Sequence, residues 1–406
     1  MDNQSDSQLR AAVDAAFETE QLEWLQRLVN QPSHSNARDD VEAAARIIDA
    51  LALEIGLKRT LFPDPEQRYA DHRIYSTPGT GERDRALALV GHCDTVFPRS
   101  LGFLYYSRDS ADSATAGDAI RGPGVLDMKS GLSVVLFALQ ALRRTAPKRL
   151  AELRLRFVCN TDEEVGSPSS RALFEALAPR TDRAMVFEAG RDQDHIVTCR
   201  KGTGTFTLTA HGVEAHAGLD HAAGVNAIHA LAMLIPSVEA LTDYPCGTTV
   251  NVGLVTGGTA KNTVPAKASC IVDVRVTSAT EAEKVGGTLR ALAADPMSAF
   301  PQAPERFRQI RCELDGGMLR PPMEASADSQ RLRERYESCA RAVGLGVGEA
   351  PLQGGGSDAN LLTAYGVPTI DGLGPFGKFF HSPKEWSSLD SLRKRTQALA
   401  CFLAGA

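Results

Sequence analysis

Three apolar runs in the first half of the chain each stop at residues that can bind a metal ion or move a proton. ALALVG runs into His92 and then Asp94; RLRFVCN runs into Asp162, Glu163 and Glu164; AMVF runs into Glu188. Asp127 lies in RGPGVLDMKSG just ahead of a helical pattern, and His381 lies in FGKFFHSPKEW after the last apolar run. Beyond the C-terminal ends of parallel strands is where α/β proteins usually bind ligands, so these groups are expected on one rim. Two imidazoles and three carboxylates without a thiolate suit catalytic rather than structural zinc. The charges agree. Asp127, Glu164 and Glu188 together with one bridging hydroxide would neutralise two Zn²⁺, and the imidazoles must be neutral to ligate. Asp94, two residues past His92, is placed to orient its ring.

Each residue alone has a plainer reading. His-x-Asp can be a polar pair at a strand end, Glu-Glu a solvated helix start favoured by the helix dipole, and Asp127 a helix N-cap. His381 by itself indicates nothing. What favours the metal reading is the joint arrangement, in order and in strand context.

The elements that must position these groups follow from periodicity. Leu22, Leu25, Leu28 and Val29, then Val41, Ala45, Ile48 and Leu51, recur at helical spacing. Apolar runs then alternate with helical patterns such as LSVVLFALQALRR and SRALFEAL, which predicts an α/β unit with a mainly parallel mixed sheet flanked by helices. Near residue 202 the texture changes to half-exposed alternation (GTFTLTAHG, ASCIVDVRV) with helices at Asn226 to Ile235 and in ATEAEKVGGTLRALAADP. This predicts an inserted α+β, ferredoxin-like lid or dimerisation domain. The first texture returns from about residue 320, with a helix over Ser326 to Val343 and one starting near Ser357 after GGGSD. The expected organisation is a catalytic domain of residues 1–201 and 320–406 around an insertion of residues 202–319.

Length and composition set the outer bounds. The 406 residues exceed one typical domain, and 43% hydrophobic with 23% charged residues is ordinary globular composition. A net charge of −6 argues against nucleic-acid and anionic-membrane partners, which want basic patches. No apolar stretch approaches the roughly 18 residues of a membrane span. The opening segment lacks the charged-then-apolar order of a secretory signal. The eight scattered cysteines form no CxxC and read as thiols in a reducing compartment. A cytoplasmic protein is the expectation.

GHCDTVFP, GPGVLDMKSG, NTDEEVGS, VFEAG, AHAG, GGGSDAN and FFHSPKEW, in that order over nearly the whole chain, resemble the motif series of the M20 family of dinuclear zinc metallopeptidases. The glutamate carboxypeptidase branch is nearest in character. The resemblance implies that Asp127 bridges two zincs, that His92 and Glu188 complete one ion and Glu164 and His381 the other, and that Asp94 holds His92. It implies a cis peptide at Asp127–Met128. It makes Glu163 the general base for a zinc-activated hydroxide attacking an amide carbonyl. His216, in VEAHAG, would assist the oxyanion, in dimers from the partner subunit. Arg275, Asn262 and the backbone of Gly356 would bind substrate, with Arg320 as a second carboxylate fork. In glutamate carboxypeptidases a lysine shortly after the Glu ligand holds the substrate's side-chain carboxylate; His195 takes that place here. An imidazole is charged only below about pH 6.5, which weakens the case for strict glutamate preference.

The expected protein is a hydrolase that releases an α-amino acid from a small peptide or an N-acyl conjugate, with two Zn²⁺ (Co²⁺ or Mn²⁺ as substitutes), dimerising through the inserted domain. An N-acyl amino acid amidohydrolase of acetylornithine deacetylase type would share the chemistry and differ in the pocket. A catalytically dead, metal-dependent binding protein is the remote alternative, against which all five ligands and Glu163 speak.

Overall fold

A computed structural model describes residues 3–109 and 119–405. The ten strands of the two principal sheets are β1 (Lys58–Phe62), β2 (His72–Ser76), β3 (Ala86–His92), β4 (Leu155–Asn160), β5 (Thr181–Val186), β6 (Gly202–His211), β7 (Thr249–Gly257), β8 (Lys267–Val276), β9 (Arg311–Arg320) and β10 (Thr369–Ile370). The chain divides into two compact units. One comprises residues 1–198, 325–352 and 357–406; the other comprises 199–324 and 353–356.

The first unit is built on a six-stranded mixed sheet in the order β1-β2-β4-β3-β5-β10. β3 runs parallel to β4 and β5, and β10 runs parallel to β5, while β1 and β2 form an antiparallel edge. Every residue of β3 and β4 is buried. Strands covered on both faces need continuous apolar sequence, which is why ALALV and LRFVC do not alternate. Helix Lys129–Thr145 is buried from Lys129 to Leu142 and packs against β3 and against helix Leu389–Ala404. The core joins Leu132, Val135 and Leu139 of that helix to Leu89, Phe157, Met185 and Phe402. Close packing here depends on Gly131, where a Cβ would lie 2.0 Å from the Phe187 carbonyl oxygen, just past β5. Segments Gly377–Lys378, Trp386–Ser388, Ala119–Arg121 and Ser107–Asp109 form a small antiparallel sheet in that order.

The second unit is a four-stranded antiparallel sheet, order β7-β8-β6-β9, with helices Ala227–Glu239 and Ala279–Ala294. The order of elements, β-α-β-β-α-β, is ferredoxin-like. Buried and half-exposed residues alternate along β6 and β8, with Phe206, Leu208, Cys270, Val272 and Val274 facing Leu231, Leu234, Val285 and Leu289 in one core. β9 was absent from the sequence expectation. Its sequence, RCELDGGMLR, carries two glycines and little apolar alternation, so its strand character comes from pairing with β6. β7 is an edge strand whose Leu254 and Val255 are exposed.

Among the described residues no disulfide joins any of the eight cysteines, and no helix is long and apolar enough to cross a membrane.

Candidate metal centre

β3 ends at His92, completely buried, and Asp94 immediately fixes its ring. His92 Nδ1 lies 3.0 Å from the Asp94 carbonyl oxygen and 3.3 Å from its Oδ1. The Asp94 carboxylate does more than that. Oδ2 accepts from Ser35 Oγ (2.6 Å) and the Glu164 amide (3.2 Å), and Oδ1 accepts from the Glu163 amide (3.2 Å). One buried acid thus fixes the end of β3 and the turn Glu163–Val165 that follows β4. Burial works against its ionised form, but His92, Ser35 and the Glu164 amide hold its pKa below the ordinary carboxylate value.

Asp162 anchors the same turn from behind. It accepts from the Ser169 and Ser170 amides (2.7 and 3.1 Å) and from Ser170 Oγ (2.6 Å), and burial pushes its pKa up to about 6. Asp358 takes Asn160 Nδ2 at 2.8 Å and Ser167 Oγ at 2.5 Å. Glu188 follows β5 by two residues and is buried.

Asp127 closes the loop that enters helix Lys129–Thr145, and the Asp127–Met128 peptide is cis. Gly124 makes the loop possible: it sits at φ 73°, and a Cβ there would meet Thr95 Cγ2 at 2.6 Å. Glu385 accepts from three amides of this loop, Gly124 (3.2 Å), Leu126 (2.6 Å) and Asp127 (2.9 Å). Burial pushes Glu385 up to about 8, and the Asp127 charge adds to the shift. Lys129, completely buried, donates to the carbonyls of Leu28 (3.0 Å) and Gln31 (2.9 Å), and burial lowers it to about 8.

Around Asp127 the groups fall into two lobes. Oδ1 faces His92 Nε2 at 3.3 Å, and that nitrogen is 3.7 Å from Glu188 Oε1. Oδ2 faces His381 Nε2 at 3.3 Å, and that nitrogen is 3.1 Å from Glu164 Oε2. Ligand atoms of His92, Asp127 and Glu164 lie within 4.8 Å of one another, as do those of His92, Glu163 and Glu188. His92 Nε2, Asp127 Oδ1 and Glu164 Oε1 are buried without a hydrogen bond, although the first two lie 3.3 Å apart. Buried polar atoms are seldom left so, and three converging on one space fit divalent cations.

The titration behaviour agrees. Burial, then the Asp127 charge, raises Glu164 to about 8 and lifts Glu188 well above its ordinary value. Burial opposes ionisation of Asp127 too, but His381 and His92 pull its pKa far down. His381 rises to about 10 beside Asp127 and Glu164. For His92, burial is outweighed by the carboxylates of Asp127 and Asp94. The carboxylates are so crowded that the cluster retains protons, and cations would take their place.

The remaining sequence candidates are placed as follows. His195, in the first unit, packs its ring over Gly348, with its Nε2 3.1 Å from where a Cβ would stand. Its loop is tied to the C-terminal helix by Ser391 Oγ and Arg395 Nη2 donating to Asp194 (both 2.9 Å). In the second unit, His216 is exposed on the ribbon Ala215–His216/Thr263–Val264, and its Nδ1 accepts from the Gly218 and Leu219 amides at 3.1 Å. The Asn262 carbonyl accepts from Ala217 N (2.9 Å) on the same ribbon. Arg275 forks onto Asp273, two residues earlier, at 2.9 and 3.0 Å. Arg320 is buried at the end of β9. Gly356 follows Gly355, whose carbonyl accepts from Arg200 Nη1 (3.1 Å).

Sequence reasoning gave no role to Glu385, Asp358 or Lys129, and it named Asp162 only as one of the groups after β4 able to bind metal, whereas its oxygens are taken by Ser169 and Ser170. Glu385 lay inside a quoted motif, four residues after His381, and its place directly before Trp386 at a strand start was the available signal.

The profile of peptidase family M20/M25/M40 matches residues 88–405. The chain belongs to this family. Among its M20 relatives, carboxypeptidase G2 of Pseudomonas sp. strain RS-16 is 26% identical over 378 residues, covering 92% of this chain and 86% of that protein. Aminopeptidase PepT from Bacillus cereus shares the fold at a TM-score of 0.75 and 20% identity, covering 95% of this chain and 97% of that one. A dinuclear metal-binding peptidase of the M20 family from Bacillus subtilis matches at a TM-score of 0.69 and 16% identity, covering 96% and 98%. This M20 chain is a hydrolytic enzyme of the metal-dependent peptidase class.

Proposed function

We propose that the protein hydrolyses an amide bond to release an α-amino acid, from the C-terminus of a small peptide or from an N-acyl conjugate. The observation that carries this reading is the split of the Asp127 carboxylate, one oxygen toward His92 and the other toward His381, with Glu188 beside the first imidazole and Glu164 beside the second. His92, Glu188 and Asp127 would hold one divalent cation, and Asp127, Glu164 and His381 the other. Zinc suits this nitrogen and oxygen donor set, and Co²⁺ or Mn²⁺ can substitute in it. When bound, the ions supply Lewis acidity toward the scissile carbonyl and lower the pKa of water.

The chain's own residues do the rest. Glu163, buried beside the ligand set and fixed through its amide by Asp94, accepts the proton of the attacking water and delivers it to the leaving amine. Asp94 keeps the His92 ring turned so that Nε2 faces Asp127. His216 would stabilise the oxyanion, Asn262, Arg275, Arg320 and the Gly356 backbone would hold the substrate's carboxylate end, and His195 would meet its side chain. The exposed edge of β7 offers a surface for dimerisation through the second unit. Its overall 26% identity to carboxypeptidase G2 supports the carboxypeptidase form of this reading.

The test is an amino-acid release assay on dipeptides and on N-benzoyl and N-acetyl amino acids with added Zn²⁺. Release from dipeptides or N-benzoyl compounds is expected; activity confined to N-acetyl compounds would identify a deacylase instead. Glu163→Gln should leave metal bound and lower kcat by roughly 10²- to 10⁴-fold. A Glu163→Gln protein as fast as the parent removes Glu163 from its role.

A further inference from the structure

Glu385 is completely buried, and the reaction scheme gives it no task. Its carboxylate accepts from backbone amides of one loop: Oε1 from Leu126 and Asp127, and Oε2 from Gly124. Burying a carboxylate is costly unless its oxygens are satisfied, and this one is satisfied only if the loop keeps its present shape. The loop in turn keeps that shape only with glycine at position 124, whose amide faces the carboxylate at φ 73°.

The neighbouring chain makes the carboxylate a fixed point. Glu385 ends a turn begun just after His381, with its own amide donating to the Ser382 carbonyl at 2.9 Å. It directly precedes the strand Trp386–Ser388, which pairs residue by residue with Ala119–Arg121, the segment leading into the Asp127 loop. The segment that carries His381 therefore grips the segment that carries Asp127 twice, through a strand ladder and through one carboxylate.

We propose that Glu385 is a positioning residue: it clamps residues 124–127 so that Asp127 presents one oxygen to each histidine, and it couples the placement of Asp127 to that of His381. The proposal rests on the metal reading of the site. It predicts that Glu385 acts on metal affinity through backbone order, without touching substrate.

The experiment compares the parent, Glu385→Gln and Glu385→Ala as full-length proteins. Glutamine keeps one oxygen for the Leu126 and Asp127 amides and turns its NH₂ toward Gly124, so it removes one bond of three; alanine removes all three. In the metal-free proteins, hydrogen exchange of the 122–128 amides should quicken in the order parent, Gln, Ala. Zn²⁺ affinity, read by chelator competition, should fall in the same order, with a loss of roughly 10- to 100-fold for alanine. At saturating Zn²⁺ the substrate KM should be unchanged while the metal needed for half-maximal rate rises. Should alanine fail to fold, glutamine decides. A folded Glu385→Gln protein with parental exchange at 122–128 and parental Zn²⁺ affinity overturns the proposal. A parent that binds Zn²⁺ but hydrolyses no amide sinks the functional reading alone, because the exchange and affinity measurements still report on the clamp.

Discussion

Asp94 offers the sharpest test of how the metal centre is held. Its two oxygens serve four partners: Ser35 Oγ at 2.6 Å and the Glu164 amide at 3.2 Å on Oδ2, the Glu163 amide at 3.2 Å and His92 Nδ1 at 3.3 Å on Oδ1. Asparagine must put an NH₂ where one oxygen stood. At the Oδ1 position the NH₂ would confront the Glu163 amide and displace the carboxylate oxygen that faces His92. At the Oδ2 position the Ser35 hydroxyl can turn and accept instead, leaving only the Glu164 amide unpaired. The second arrangement is therefore adopted, at the cost of one buried unsatisfied N–H, about 1–3 kcal/mol. Asp94→Ala abandons all four partners and should cost more. The amide oxygen left facing His92 carries no charge and makes the imidazole a weaker ligand, so Asp94→Asn should lower Zn²⁺ affinity by about 10- to 100-fold. Urea unfolding of the metal-free proteins gives the first quantity and chelator competition gives the second. If Asp94→Asn matches the parent in both, or if Asp94→Ala costs no more than Asp94→Asn, the oxygens do not carry the roles described.

Two further outcomes follow from the same geometry. In metal-free protein, Glu164 (up to about 8, from an ordinary 4.5) and His381 (up to about 10, from 6.5) bind protons more tightly folded than unfolded. Their contributions to stability are complete below the unfolded values and fade as pH rises through the folded ones. Melting temperature with chelator present should thus fall more steeply between about pH 5 and 9 than that of the Zn²⁺-loaded protein, whose ligation requires the deprotonated groups; a metal-free curve that rises across this window would contradict the assignment. Gly131→Ala would place a methyl 2.0 Å from the Phe187 carbonyl oxygen; the clash, about 1–3 kcal/mol, should exceed the helix gain of about 1 kcal/mol, and an unshifted denaturation midpoint would show that the helix can move away freely.

The sequence made the rim of the site readable because β3 and β4 are buried on both faces throughout, and β5 is buried from Ala184 to Val186. Unbroken apolar runs with abrupt polar ends mark where such strands stop, and His92, Glu163, Glu164 and Glu188 stand at or just past those ends. Separate roles for the adjacent Glu163 and Glu164 came only from the family resemblance, since both follow the same strand. β1 and β2 were not legible: KRTLF is mostly exposed and HRIYS is polar at its start, so neither shows the pattern of a core strand. Buried polar residues were hidden for a different reason. Arg156 looks like a surface residue in sequence, yet its guanidinium donates to the carbonyls of Gly81, Glu82, Asp84 and Arg180. His72 is buried between Thr161 and Ser169, both 3.1 Å from its ring nitrogens, and burial lowers it to about 4. Such residues are explained by partners far along the chain, which local periodicity cannot reveal.

The parallel pairing of β10 with β5 sets an order of events during synthesis. The whole second unit lies between these two strands in sequence. Its own sheet is complete by β9, before β10 has been made, so it can fold on the ribosome as a unit. The first unit must hold an open sheet edge at β5 until β10 arrives, and parallel pairing across so long a separation is slow. His381 is made later still. A nascent chain stopped short of it would carry His92, Asp127, Glu164 and Glu188 with no imidazole facing Asp127 Oδ2, so the second lobe is the last part of the metal centre to come into being.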